Sequence, residues 1–147
     1  MTNAMFPDKY DAVRQVIQSR LFTEWGTTTR VKYGNYPLDP APEPSESWIA
    51  LAIKFGDESP ASMTFGTVVF RGLGLFQIDI CVPDGEGTGN LNRLAKQLND
   101  IFVNYETKSF QVTRNSYMEG LIEGNTWYKG ILSFYFRWEY AASNNVI

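Results

Sequence analysis

Three glycines in five residues, Gly85, Gly87 and Gly89, alternate with Glu86 and Thr88 behind Asp84 in "ICVPDGEGTGNLNRLAKQL", residues 80–98. An apolar run precedes them and a helical pattern follows. Strand, glycine loop and helix is the arrangement that cradles phosphate, because backbone N–H groups and the helix N-terminus converge on an anion. The dinucleotide form requires G-x-G-x-x-G, each glycine having its own task in turn, phosphate approach and helix packing. Here the third position is Asn90, and Asp84 and Glu86 would repel a diphosphate. The ATPase form G-x-x-x-x-G-K-[ST], counted from Gly85, needs its second glycine where Asn90 stands and its lysine where Leu91 stands. A calcium loop comes closer: Asp84, Glu86, Thr88 and Gly89 match its first, third, fifth and sixth positions, but Ala95 occupies the place of the bidentate glutamate. The remaining reading is a corner: Pro83 ends a strand, the glycines supply unusual φ angles, and Thr88 or Asn90 caps a helix. No metal and no cofactor is expected there.

Other chemistry is thinly supplied. The chain has no histidine and one cysteine, Cys81, so His-based triads and the usual zinc sites have no ligands. Cys81 sits in an apolar strand, where a buried, inert thiol is expected. Carboxylate pairs such as Asp57 and Glu58 lie in polar stretches, with no base placed beside a nucleophile. An enzyme is disfavoured, although a pair of carboxylates distant in sequence would leave a hydrolase open.

The elements that would position these groups follow from periodicity. "DKYDAVRQVIQSRLFTEW" puts Tyr10, Val13, Val16, Ile17 and Leu21 on one helical stripe behind a capping Asp8. "TTTRVKYGNYPL" predicts a short strand, and "DPAPEPSES" an extended acidic loop that its prolines keep out of helix and central strand. "WIALAIKF" is apolar on both alternate sets and predicts a central strand, broken by "GDESPAS". "MTFGTVVFRGLGLFQIDICVP" then holds one long strand or two, with Gly72 and Gly74 as a bend or bulge. Phe76, Ile78, Ile80 and Val82 share a face opposite Gln77 and Asp79. A second helix is expected from about Thr88 to Asn104 on Leu91, Leu94, Leu98 and Ile101. A weaker strand, "SFQVTRNSY", and a long one, "TWYKGILSFYFRWEY", close the pattern; residues 1–7 and 141–147 are expected to fray.

The order α-β-β-β-α-β-β, with connections mostly too short for parallel crossovers, predicts an α+β fold: a mostly antiparallel, mixed sheet with two helices on one face. At 147 residues the chain is expected to be one domain. Its aromatic content of 15% suits a ring-rich core or an interface. The net charge of −3, with no run of Lys or Arg longer than one residue, argues against a whole-domain nucleic-acid footprint. No apolar run approaches the ~18 residues of a membrane span, and the N-terminus lacks a leader pattern. The expectation is a soluble protein made in a reducing compartment.

The strand "FQIDICVP", the loop "DGEGTGN", the helix "LNRLAKQLNDIF" and the late "WYKGILSFYFRWEY" resemble the small tail-terminator (tail completion) proteins of long-tailed bacteriophages, in the group labelled a bacteriophage domain of unknown function. The opening helix, "TRVKYGNYP", a proline-rich loop and "WIALAI" are similar too, so the likeness spans roughly residues 8–140. The resemblance implies a structural protein, not an enzyme. It would form a ring homo-oligomer, a hexamer in this family, on the growing end of the tail tube. The ring stops polymerisation and presents a surface to the head-completion or connector protein, and DNA is only passing cargo. Its place would be the head-proximal end of the tail in the virion, after assembly in the host cytoplasm.

For such a ring the candidate oligomer or tube interface is "ASMTFGTVVFRG", through Phe65, Val68, Val69, Phe70 and Arg71. Residues 57–71 are expected to be mobile alone and to order against a neighbour or the tube; the bland alternative is an ordinary hairpin packed in the core. The loop "DPAPEPSES" either lines a rim or lumen or is merely solvated. Rival functions are another head–tail connector or tail-tube subunit, a small carboxylate-dependent hydrolase, and a generic binding module.

Overall fold

The computed structural model describes residues 9–64, 66–85, 87–124 and 126–143. Its elements are α1 (Lys9–Trp25), β1 (Arg30–Tyr33), β2 (Trp48–Thr64), β3 (Thr67–Pro83), α2 (Gly89–Phe102), β4 (Phe110–Glu123) and β5 (Trp127–Ser143). The expected order and α+β class are observed. The strands form one sheet in the order β1-β2-β3-β5-β4. β1 runs parallel to β2, and the other neighbours are antiparallel.

Both helices cover one face. α1 buries Val13, Ile17, Leu21 and Trp25, and α2 buries Leu91, Leu94, Ala95, Leu98 and Phe102. Tyr10, expected in the α1 stripe, is exposed, and Trp25 continues the stripe instead. Against these stripes the strands present their alternate residues: Ile49 and Leu51, then Phe76, Ile78, Ile80 and Val82, then Leu132, Phe134, Phe136 and Trp138. The predicted inward set of β3 is therefore the core. Asp8, the expected cap of α1, lies outside the described residues.

Several boundaries differ from expectation. "GDESPAS" does not break the strand. β2 runs through it to Thr64, with irregularities between Phe55 and Glu58 and between Pro60 and Ser62. Pro60 is tolerated because this stretch lies at the sheet margin, where a missing N–H breaks no ladder. β2 is central only beside four-residue β1, which pairs with Trp48–Leu51. The bulge expected at Gly72 and Gly74 falls on their β2 partner, which carries an extra residue between Phe55 and Glu58, while β3 itself keeps continuous register with β5 from Thr67 to Pro83. Ala141–Ser143, expected to fray, extend β5 because Thr67–Val69 need a partner on their second side. β4 also outruns "SFQVTRNSY", pairing with β5 up to the Glu123–Trp127 position.

Three strands thus project past the helical layer: β2 from about Gly56, β3 before Gly74, and the end of β5. The rest of the sheet carries the core, and this extension carries the candidate interface.

Candidate interaction surface

The glycine loop is a corner. Gly85 and Gly87 have φ of +88° and +81°, a region that side chains disfavour. A Cβ on either, or on Gly89, would meet nothing within 4 Å. They serve the turn and not the close approach of another group. Thr88 holds the N-cap position of α2 without a side-chain bond. Asn90 lies inside the helix and donates its amide to Ser47 Oγ at 3.3 Å. Thr88 thus takes the N-cap place the sequence offers it, but neither it nor Asn90 caps α2 through its side chain. Glu86, part of the anion and calcium comparisons, lies outside the described residues. Cys81 is buried, as its strand setting predicts.

The predicted interface residues are brought together on the extension. Val68 pairs with Met63 and Ala142, Val69 with Ser62 and Ala141, Phe70 with Pro60 and Tyr140, and Arg71 with Ser59 and Glu139. Phe65 lies outside the described residues. β3 is flanked on both sides here, so residues 67–71 pair within one copy, with β5 in continuous register and with β2 across an irregularity between Pro60 and Ser62. They offer a partner two faces, half-buried Val68 and Phe70 on the helix side of the sheet and half-buried Val69 with exposed Arg71 on the open side. The β2 edge beyond β1, unpaired among the described residues, is interrupted by its irregularities and by Pro60, which spoil the even spacing of backbone groups that strand addition requires.

The root of the extension is clamped to α1. Lys9 Nζ donates to Glu58 Oε1 at 2.7 Å and to Tyr140 Oη at 2.8 Å. Tyr10 Oη donates to Glu58 Oε2 at 2.6 Å, and Tyr140 Oη to Glu58 Oε1 at 3.1 Å. Phe70, Tyr140 and Trp138 stack beside this cluster, with ring centroids 5.3 and 5.1 Å apart. The Lys9 ammonium, then the Tyr10 hydroxyl, hold the Glu58 carboxyl below its ordinary value of 4.5. Of the Asp57–Glu58 pair, Glu58 is thus an ionised brace and not a proton donor at neutral pH. A carboxyl with a depressed folded pKa takes up protons on unfolding, so its stabilisation is full above the ordinary value and lost as pH falls through the folded one. Thermal melting of wild type and Glu58→Gln between about pH 3 and about pH 7 should show the gap between them shrinking as the medium acidifies. A gap that stays constant would remove Glu58 from the acid response.

A groove of about 650 Å³ between α1, the Tyr33–Tyr36 turn and β2 includes Arg14, Gln18, Tyr33, Leu51, Ile53 and Phe55 in its lining. No carboxylate is among its lining residues, so it holds no acid–base pair for a hydrolase.

The sheet face turned away from the helices carries residues that chain order had scattered. Arg71 and Glu139 form an ion pair at 3.0 Å, and Lys129 and Asp79 one at 3.3 Å. Arg137 donates to Gln111, and the Arg114 guanidinium lies 4.1 Å from the centroid of Tyr135. At the β1 margin Arg30 forks onto Glu46 at 2.7 and 2.9 Å and donates to Pro40 O at 2.8 Å. This fork holds the Glu46 carboxyl below its ordinary range and anchors the proline loop. Strand alternation was the signal that would have gathered most of these cations, because they stand one residue away from inward positions; Arg114 reaches this face only through the irregularity between Val112 and Arg114.

No family model and no curated protein sequence matches the chain. A solved protein structure is similar in fold, with a TM-score of 0.64 and 18% sequence identity, the match covering 90% of this chain and 97% of that one. At that identity the likeness is one of fold.

Proposed function

We propose that this chain is the subunit of a closed ring that caps a protein tube, as the resemblance to tail-terminator proteins of long-tailed bacteriophages implies. The observation that supports this best is the three-stranded extension. It carries half-exposed Val68, Val69 and Phe70 and exposed Met63 and Leu73 beyond the helical layer, while its root is braced to α1. Apolar residues set on a rigid projection suit contact with another protein surface. In this reading the chain binds copies of itself, the tail tube on one side and a head-completion or connector protein on the other. DNA passes through the ring as cargo, and no cofactor or bond-breaking step is needed. The place of work is the head-proximal end of the tail in the virion.

Electron microscopy of the purified protein mixed with tail tubes tests the proposal. The expected result is ring density at one end of each tube and arrest of tube growth. Fibres or an open-ended size ladder from the protein alone would identify a tube subunit instead. Tubes that keep bare ends and keep growing would overturn the terminator reading.

A further inference from the structure

The open sheet face has a charge opposite to that of the chain. Strand alternation places Lys32 of β1, Lys54 of β2, Arg71 of β3, Lys129 and Arg137 of β5 and Arg114 of β4 on it, with Arg30 at its margin. These are seven of the thirteen Lys and Arg residues of a chain whose net charge is −3. Asp79 and Glu139 stand among them, and Glu46 stands at the margin beside Arg30. Between the cations lie Leu73, Leu75, Ile131 and Tyr135, none fully buried and Leu73 54% exposed. Cations and apolar side chains interleave, Arg137 beside Leu73 and Lys54 beside Leu75, so the face offers both apolar area and charge to a partner.

The complement is on the same chain. Of the six remaining cations, Lys9, Arg14, Arg20 and Lys96 are ion-paired to Glu58, Asp11, Glu24 and Asp100. Negative charge is left in excess elsewhere, and Asp39 and Glu43 expose it on the proline loop. Pro37, Pro40, Pro42 and Pro44 restrict that loop, so docking it costs less conformational entropy than docking a flexible segment. We infer that the open sheet face is the docking surface for a second copy of this chain, which presents its acidic proline loop.

The inference deepens the ring reading and rests on it. Arg30 anchors the loop beside the β1 margin of the face, but the loop and the centre of the face are different patches, so the contact between copies is heterologous, the kind that repeats until a ring closes. Nucleic acid fits less well. Arg71 and Lys129 are already paired with Glu139 and Asp79, apolar side chains separate the cations, and the net negative chain repels a polyanion at a distance.

Charge exchange tests this. The face variant is Lys54→Glu with Arg114→Glu, and the loop variant is Asp39→Lys with Glu43→Lys, each checked for a native circular dichroism spectrum. Assembly is measured by sedimentation velocity in solution and by microscopy on tail tubes. Each variant alone should assemble at least about tenfold more weakly than wild type, and an equal mixture should recover assembly, because opposite charges face each other again. A face variant that forms rings as wild type does would overturn this docking while leaving the ring standing. Wild type that stays monomeric in solution and on tubes would overturn the ring itself. Binding of a DNA duplex that the face variant loses, with self-assembly unchanged, would reassign the face to nucleic acid.

Discussion

Phe76→Ala is expected to cost about 3–5 kcal/mol, read as a lower urea midpoint at unchanged slope. Phe76 has no exposed surface and sits where both layers meet. Its ring lies 4.8 Å from Phe102 of α2, 5.0 Å from Phe134 of β5 and 6.1 Å from Phe136. Truncation removes the transfer gain of the ring and leaves a void walled by three aromatics held by their own strands and helix, which cannot collapse into it. Against a typical domain stability of about 5–15 kcal/mol, the variant would stand close to unfolding. Phe76→Leu, which keeps more of the volume, should lose clearly less. A loss below about 1 kcal/mol in the alanine variant would mean that the aromatic cluster repacks freely.

Gly74→Ala should destabilise by about 1–3 kcal/mol, the range for inserting a methyl into filled space. Replacing a glycine by alanine ordinarily stabilises, because the unfolded chain loses freedom. Here a Cβ would lie 2.6 Å from Phe136 Cζ and 2.7 Å from the backbone oxygen of Lys54. One obstacle is a buried ring and the other a strand that cannot step aside. Gly72 is crowded in the same way by the Trp138 indole, with its nearest atom at 2.3 Å. Gly89→Ala supplies the control, since nothing lies within 4 Å of that site and alanine favours the helix. The same chemical change should therefore act in opposite directions at the two positions, as paired denaturation curves would show. If both stabilise, the rings are not seated on the glycines as described.

That contrast marks what the sequence could and could not disclose. Period-two alternation in "FQIDICV" and the helical stripe of α2 were legible because each segment reports its own partner layer. The fold class and element order followed from them. Gly72 and Gly74 read as a bend because their purpose lies on β5, 66 and 62 residues away, where Trp138 and Phe136 pair with them. "GDESPAS" read as a break because its polar composition says loop. It is a strand because Arg71 and Gly72 of β3 stand ready to pair with Ser59 and Glu58. The four hydrophobic or basic interface candidates within 68–71 were gathered from local composition, and they do share one strand. The cations of the open face stayed hidden, since no two of them are neighbours in sequence and only a register brings Arg71, Arg137 and Arg114 to one side.

The two irregularities and the proline on β2 have a bearing on solubility. A protein that must accumulate before it assembles risks stacking strand on strand into cross-β fibrils, a process that feeds on long, straight, unshielded ribbon margins. The margin from Ala52 to Thr64 is kinked at two places and lacks one donor at Pro60, so it makes a poor template for such growth. In the proposed ring, this would let the chain keep long apolar strands at high concentration and reserve its sticky surfaces for a counted number of neighbours.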